Sequence, residues 1–134
     1  MKLRDQSGFT LVEIMIVVAI IAVLAMIAIP GLLRAKVASN DSIAQSTLRT
    51  ISTAAESYST ANNGQYPTSE ADLTDANPAY LTESYCGTTK SGFQITCEWG
   101  AGGYTITATP VNEGVTGSQT FQITTGGVWV DEAE

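Results

Sequence analysis

From Phe9 to Ile29 the chain runs for 21 residues with only two polar side chains, Thr10 and Glu13. A bilayer core ~30 Å thick takes about 20 apolar residues in a helix, so the run fits a single membrane span. Lys2 and Arg4 ahead of it favour a cytoplasmic N-terminus; Arg34 and Lys36 just beyond it argue weakly the other way. A secretory signal peptide has a shorter apolar region and is cut after it at small residues. Here the run is longer and helical periodicity continues past it, although small residues near Ala25 and Ala28 keep the signal-peptide alternative open.

Glu13 is the informative residue of the run. A carboxylate at the centre of a membrane helix costs roughly 2.5–3.5 kcal/mol, and less near an interface. No Lys or Arg lies within the span to pair with it. One reading is an interfacial acid that reaches headgroup water. The other is cleavage between Gly8 and Phe9, which creates an α-amino cation one helical turn from Glu13. Position alone leaves both open.

The residues themselves add more. Gly8-Phe9-Thr10-Leu11-Val12-Glu13, followed by Ile14 to Ile21 and later by Ala28-Ile29-Pro30, strongly resembles the class III signal of type IV prepilins and pseudopilins. The resemblance covers about the first third of the chain closely and the remainder in architecture. It implies that a prepilin peptidase cuts after Gly8 on the cytoplasmic side and N-methylates Phe9. It implies also that Glu13 pairs with the Phe9 amine of a neighbouring subunit and sets register during assembly. Gly8 suits a cleavage site because a residue without a side chain enters a tight groove. Asp5 dilutes the leader's positive charge without breaking the pattern.

Beyond the span, Ala44, Leu48, Ile51, Ala55 and Tyr58 recur at steps of four and three, the stripe of an amphipathic helix. Helix is expected from Phe9 to about Ala61, interrupted only at Pro30-Gly31 and stopped by Asn62-Asn63-Gly64. For an isolated subunit the reading is a mild kink at this proline, common in membrane helices; by resemblance, the segment around Pro30 would lose helical pairing inside a fibre and permit stretching.

After the helix, residues 62–91 read as an irregular connection with a helix-like patch from Ser69 to Thr74. Residues 92–134 read as antiparallel sheet. Phe93–Trp99, Tyr104–Ala108 and Thr120–Thr124 alternate, and Val128–Val130 follows Gly126-Gly127, which predicts a three- or four-stranded meander covering the helix stripe. The fold class expected is α+β: leader 1–8, transmembrane or fibre-core helix 9–29, amphipathic helix 30–61, then loop and sheet.

Cys86 and Cys97 lie in no CxxC, and two thiols alone make a poor metal site. A disulfide closing one loop is the economical reading and implies an oxidising compartment; two free thiols are the lesser one. Glu70, Asp72 and Asp75 cluster as calcium ligands would, but lack an EF-hand's glycine and terminal Glu, so a solvated helix start is the favoured reading. Asn40-Asp41-Ser42 matches a glycosylation sequon within the helix and is read as coincidental. No metal or cofactor is expected.

The chain has no histidine, which removes the commonest base and metal ligand. It has no P-loop and no nucleophile–base pair, so an enzyme is disfavoured. A chain starting at Phe9 keeps Arg34, Lys36, Arg49 and Lys90 against twelve of the thirteen acids, and general nucleic-acid binding is not expected. The leading expectation is a fibre subunit, stored in the inner membrane and assembled as a helical homo-oligomer outside the cell by a dedicated machinery. A type II secretion pseudopilin is the nearest alternative, because Asn63 to Pro67 is similar to the loop after the helix in major pseudopilins. A DNA-uptake or adhesive fibre subunit is the second.

Overall fold

The computed structural model describes residues 8–130. The leader's Lys2, Arg4 and Asp5 lie outside the described residues. The chain divides into two units, Met1–Ala35 and Lys36–Glu134. One helix, α1 (Leu11–Ala61, 51 residues), contributes to both.

In the first unit, nearly every side chain from Phe9 to Leu33 is exposed, including Leu11, Ile14, Ile20 and Leu24. The apolar window is long enough to cross a membrane and none of it is buried. At Pro30-Gly31 α1 continues through both residues. A proline removes one amide donor and crowds the preceding turn, but the hydrogen bonds on either side can carry a helix past it.

In the second unit, the predicted stripe is the buried face of α1: Ala44, Leu48, Ile51 and Ala55 are buried and Tyr58 is half-buried. The outer face is rich in hydroxyls. Thr50, Thr53, Ser57 and Thr60 each donate to the carbonyl four residues back at 2.8–2.9 Å, so each hydroxyl is satisfied within the helix by sharing an acceptor of the backbone ladder. The helix ends as expected. Asn63 takes a positive φ of 56°, and the Gly64 N–H donates to the Ser59 carbonyl at 2.8 Å, which closes the last turn.

A short α2 (Ala71–Thr74) is followed by five strands: β1 (Thr89–Lys90), β2 (Phe93–Gly100), β3 (Gly103–Pro110), β4 (Phe121–Thr124) and β5 (Val128–Val130). They form one antiparallel sheet in sequential order. The expected meander had three or four strands. The extra one, β1, lies in the stretch read as loop and is too short to show an alternation. Phe93, Ile95, Tyr104, Ile106, Phe121 and Ile123 are buried together with the α1 stripe and Leu73. Burying one such side chain contributes about 1.5–3 kcal/mol, so this cluster is the main stabilising element of the unit.

The β3–β4 connection is tied to α1. The Asn40 amide donates to the Thr116 carbonyl at 2.8 Å, and the Ser118 N–H donates to Asp41 Oδ1 at 2.9 Å. Within this loop Gly117 sits against the Phe93 ring, where any Cβ would collide.

Candidate functional site

Gly8, Phe9 and Thr10 precede the first turn of α1 and are exposed; Phe9 is 86% exposed. The Gly8–Phe9 bond is therefore accessible, two residues ahead of the helix. Glu13 is the third helical residue and Thr10 is the N-cap. The Thr10 N–H and the Thr10 hydroxyl both donate to Glu13 Oε2 at 2.7 Å, and the Glu13 N–H reaches back to Thr10 Oγ1 at 3.2 Å. This reciprocal arrangement is a capping box, which satisfies helix-start donors that have no partner along the helix. The sequence reading missed it, although Thr10-x-x-Glu13 before an apolar run is its signature. Glu13 thus has partners within its own chain.

Pro30 and Gly31 are both helical. At Gly31 an added Cβ would meet open space, so packing within the chain does not demand glycine there.

In the second unit, Cys86 and Cys97 form a disulfide with Cα atoms 5.5 Å apart, joining the connecting loop to β2. Glu70 holds the same loop: its Oε1 accepts the Tyr85 N–H at 2.6 Å and the Cys86 N–H at 3.0 Å. Asp72 Oδ2 accepts the Thr68 N–H at 2.8 Å, the Thr68 hydroxyl at 3.0 Å and the Ser69 N–H at 3.1 Å. Those bonds, the Thr68 N–H foremost, hold its carboxyl below its ordinary range against the opposing effect of burial. Asp75 Oδ1 accepts from the Thr74 hydroxyl. The three clustered acids thus serve the backbone and hydroxyls around them, each locally.

Among the described residues a further polar constellation centres on Glu56 of α1. Its Oε1 accepts the Tyr104 hydroxyl at 2.8 Å and the Gly126 N–H at 2.7 Å, and its Oε2 accepts the Tyr66 hydroxyl at 3.1 Å. Tyr104 spends its one proton on Glu56, so Ser52, 2.7 Å away, is the donor to the Tyr104 oxygen. Burial first, with the Glu56 bond and charge behind it and Ser52 opposing, pushes the Tyr104 phenol up to about 12. Tyr66 is raised also, by burial and then by Glu56. Arg49 lies over the Trp129 ring at 5.7 Å, a further α1-to-sheet contact.

Residues 3–29 match the family described as the prokaryotic N-terminal methylation motif. The chain is similar to the type IV wide pilus major component PilA4 of Thermus thermophilus, 33% identical over 127 residues that make up 87% of this chain and 96% of that protein. It is similar also to type II secretion system core protein G of Aeromonas hydrophila, 38% identical over 73 residues, 54% of this chain and about half of that protein (50%). The type IV major pilin protein PilA of Myxococcus xanthus is 49% identical over 51 residues, 38% of this chain and 23% of that protein. No solved structure matches the chain.

Proposed function

The chain belongs to the type IV pilin and pseudopilin family, and from that premise we propose that it is the structural subunit of an extracellular type IV pilus-like filament. Its role in that family is structural and not enzymatic. Before assembly the Phe9–Ile29 segment holds the chain in the inner membrane as a single span. A prepilin peptidase cuts between Gly8 and Phe9 and N-methylates Phe9, and an assembly machinery then draws the processed chain into the fibre. Glu13 of one subunit pairs with the Phe9 amine of the next, which fixes register.

One observation carries the proposal: an unburied apolar helix that begins three residues after Gly8 and bears a single acid in its first turn. Such a surface needs lipid or other copies of itself. At ~25 cal/mol per Å² of apolar area removed from water, helix against helix is a large driving force once lipid is left behind. The PilA4 match across most of both chains supports the pilus reading. Electron microscopy of cells expressing the chain tests it, with long surface fibres expected and their absence contrary.

A second reading, a pseudopilin that drives protein export, is supported by the similarity to type II secretion core protein G. Deleting the chain separates the two: loss of exoprotein release with no loss of surface fibres favours the pseudopilin. A DNA-uptake or adhesive subunit is a third reading, in which the fibre is the same and a ligand is added. Gel shifts across salt concentrations test its DNA form.

A further inference from the structure

Asn63 lies in the turn that ends α1 and is the one asparagine in the chain followed by glycine: Asn40, Asn62, Asn77 and Asn112 stand before Asp41, Asn63, Pro78 and Glu113. We propose that Asn63–Gly64 is a site of spontaneous deamidation, with water as co-reactant, and that the last turn of α1 gates its rate.

In this reaction the Gly64 main-chain nitrogen gives up its proton and bonds to the Asn63 side-chain carbon. The bond from that carbon to Nδ2 breaks, and ammonia leaves with the proton. Water then opens the cyclic imide at either carbonyl, leaving an ordinary aspartyl or an isoaspartyl linkage. Glycine suits the second position because it has no Cβ to crowd the attack, and the space where one would stand is open. Both residues are exposed, so water reaches the imide. Asn62 ties its side chain down by donating to the Tyr58 carbonyl at 2.9 Å; the Asn63 side chain makes no such bond among the described residues. The main chain supplies the restraint instead. The Gly64 N–H donates to the Ser59 carbonyl at 2.8 Å, and the Asn62 and Gln65 N–H groups donate to the Tyr58 and Asn62 carbonyls at 3.0 and 3.1 Å. Attack requires the Gly64 nitrogen to lose its proton and turn towards the side chain, and the Ser59 bond holds both proton and peptide plane. The reaction therefore proceeds from an opened helix end, a local event that leaves the sheet folded. Either product weakens the cap. An aspartyl carboxylate stands at the negative end of the helix dipole, and an isoaspartyl linkage adds one carbon to the main chain where the turn must close.

The test follows the full chain in detergent at neutral pH. Deamidation is read as the mass gain and isoaspartyl content of the peptide that holds residue 63, with Gly64 amide exchange measured beside it. The reaction should run at least about tenfold faster in the same chain unfolded in urea, where the turn is open. Ala61→Gly, at an exposed position, weakens the last turn and should speed both deamidation and Gly64 exchange by about two- to fivefold. Asn63→Gln should abolish the mass gain, because the longer side chain closes the ring poorly; a gain that persists in this variant overturns the assignment to Asn63. A chain that stays unmodified in urea overturns the site itself. Equal rates in the folded and unfolded chain overturn the gate, and so does faster Gly64 exchange in Ala61→Gly at an unchanged deamidation rate. Should Ala61→Gly not fold, urea concentrations below the unfolding transition applied to the wild-type chain take its place. The two rates are then expected to rise in step, and their divergence is contrary.

Discussion

The Tyr104 hydroxyl on β3 donates to Glu56 Oε1 on α1 across 2.8 Å, while the Gly126 N–H donates to the same oxygen at 2.7 Å. One helix carboxylate therefore fastens the middle of the sheet and the turn before β5. Replacing Glu56 by Ala leaves Tyr104, Tyr66 and Gly126 without their acceptor and should cost about 1–3 kcal/mol. Thermal unfolding of the detergent-solubilised chain checks it. An unchanged melting temperature would mean that the three donors find water at no cost.

The alkaline limb of stability should report Tyr104. Its pKa stands at about 12 in the folded chain, above the ordinary 10.0. A phenol raised on folding contributes stability that is complete below the unfolded value and is lost as pH rises through the folded one. The predicted window is therefore pH 10 to 12, and the loss is on the order of 2–3 kcal/mol. Tyr66 acts in the same direction. Tyr104→Phe should flatten this limb, as measured by denaturant midpoints at successive pH values.

Asp72 should act at the opposite end. Its carboxyl is held below the ordinary 3.8 in the folded chain. Its contribution is present above the unfolded value and is lost as pH falls through the folded one. Asp72→Asn should therefore remove part of the acid sensitivity below about pH 4, and cost about 1 kcal/mol at neutral pH as a lost helix-start acceptor. Acid titrations of the two chains followed by circular dichroism check it.

Much of this architecture is legible in the chain's own letters. The stripe Ala44, Leu48, Ile51, Ala55 has a strong 3.6-residue period because a whole face is buried, and the alternation of Phe93 with Ile95 and of Tyr104 with Ile106 is strong because one side of the sheet is covered. β1 was invisible because two residues carry no period. The Glu56 constellation was invisible for another reason. Its partners lie 10, 48 and 70 residues away, and an acid on a polar helix face gives no local sign of them. The Thr10–Glu13 box, by contrast, is a four-residue pattern that was present and overlooked beneath the cost of the charge. Continuity through Pro30 could not be read from composition, since a proline's effect depends on the turns around it.

The loop fastening should be measurable through the disulfide. Cys86 and Cys97 are separated by 11 residues, and closing a loop of that size stabilises by about 3 kcal/mol in the chain-entropy account. Replacing both by Ser should lower the unfolding midpoint accordingly. Glu70 and the β1–β2 pairing remain in that variant, so the loop should loosen without the sheet coming apart.

Gly117 offers a test of core shape. A methyl there meets the Phe93 ring, and Phe93 is fully buried. Gly117→Ala should cost about 1–3 kcal/mol through overpacking. Pairing it with Phe93→Leu should recover part of the loss, which a double-mutant cycle would measure.

Amide exchange bears on Pro30 and Gly31. The segment is helical in the single chain, and we propose that it loses helical pairing within the fibre. Faster exchange of the Ala25–Arg34 amides in fibres than in membrane-stored chain is expected. Protection equal to that of the neighbouring helix would show that α1 enters the fibre unbroken.

Intact mass and N-terminal sequencing of filaments sheared from cells test assembly by processing most directly. The predicted result is a chain that begins at methylated Phe9 and makes up the body of the fibre. A chain that retains Met1 and stays in the bilayer, unassembled, while the export machinery is running would contradict it.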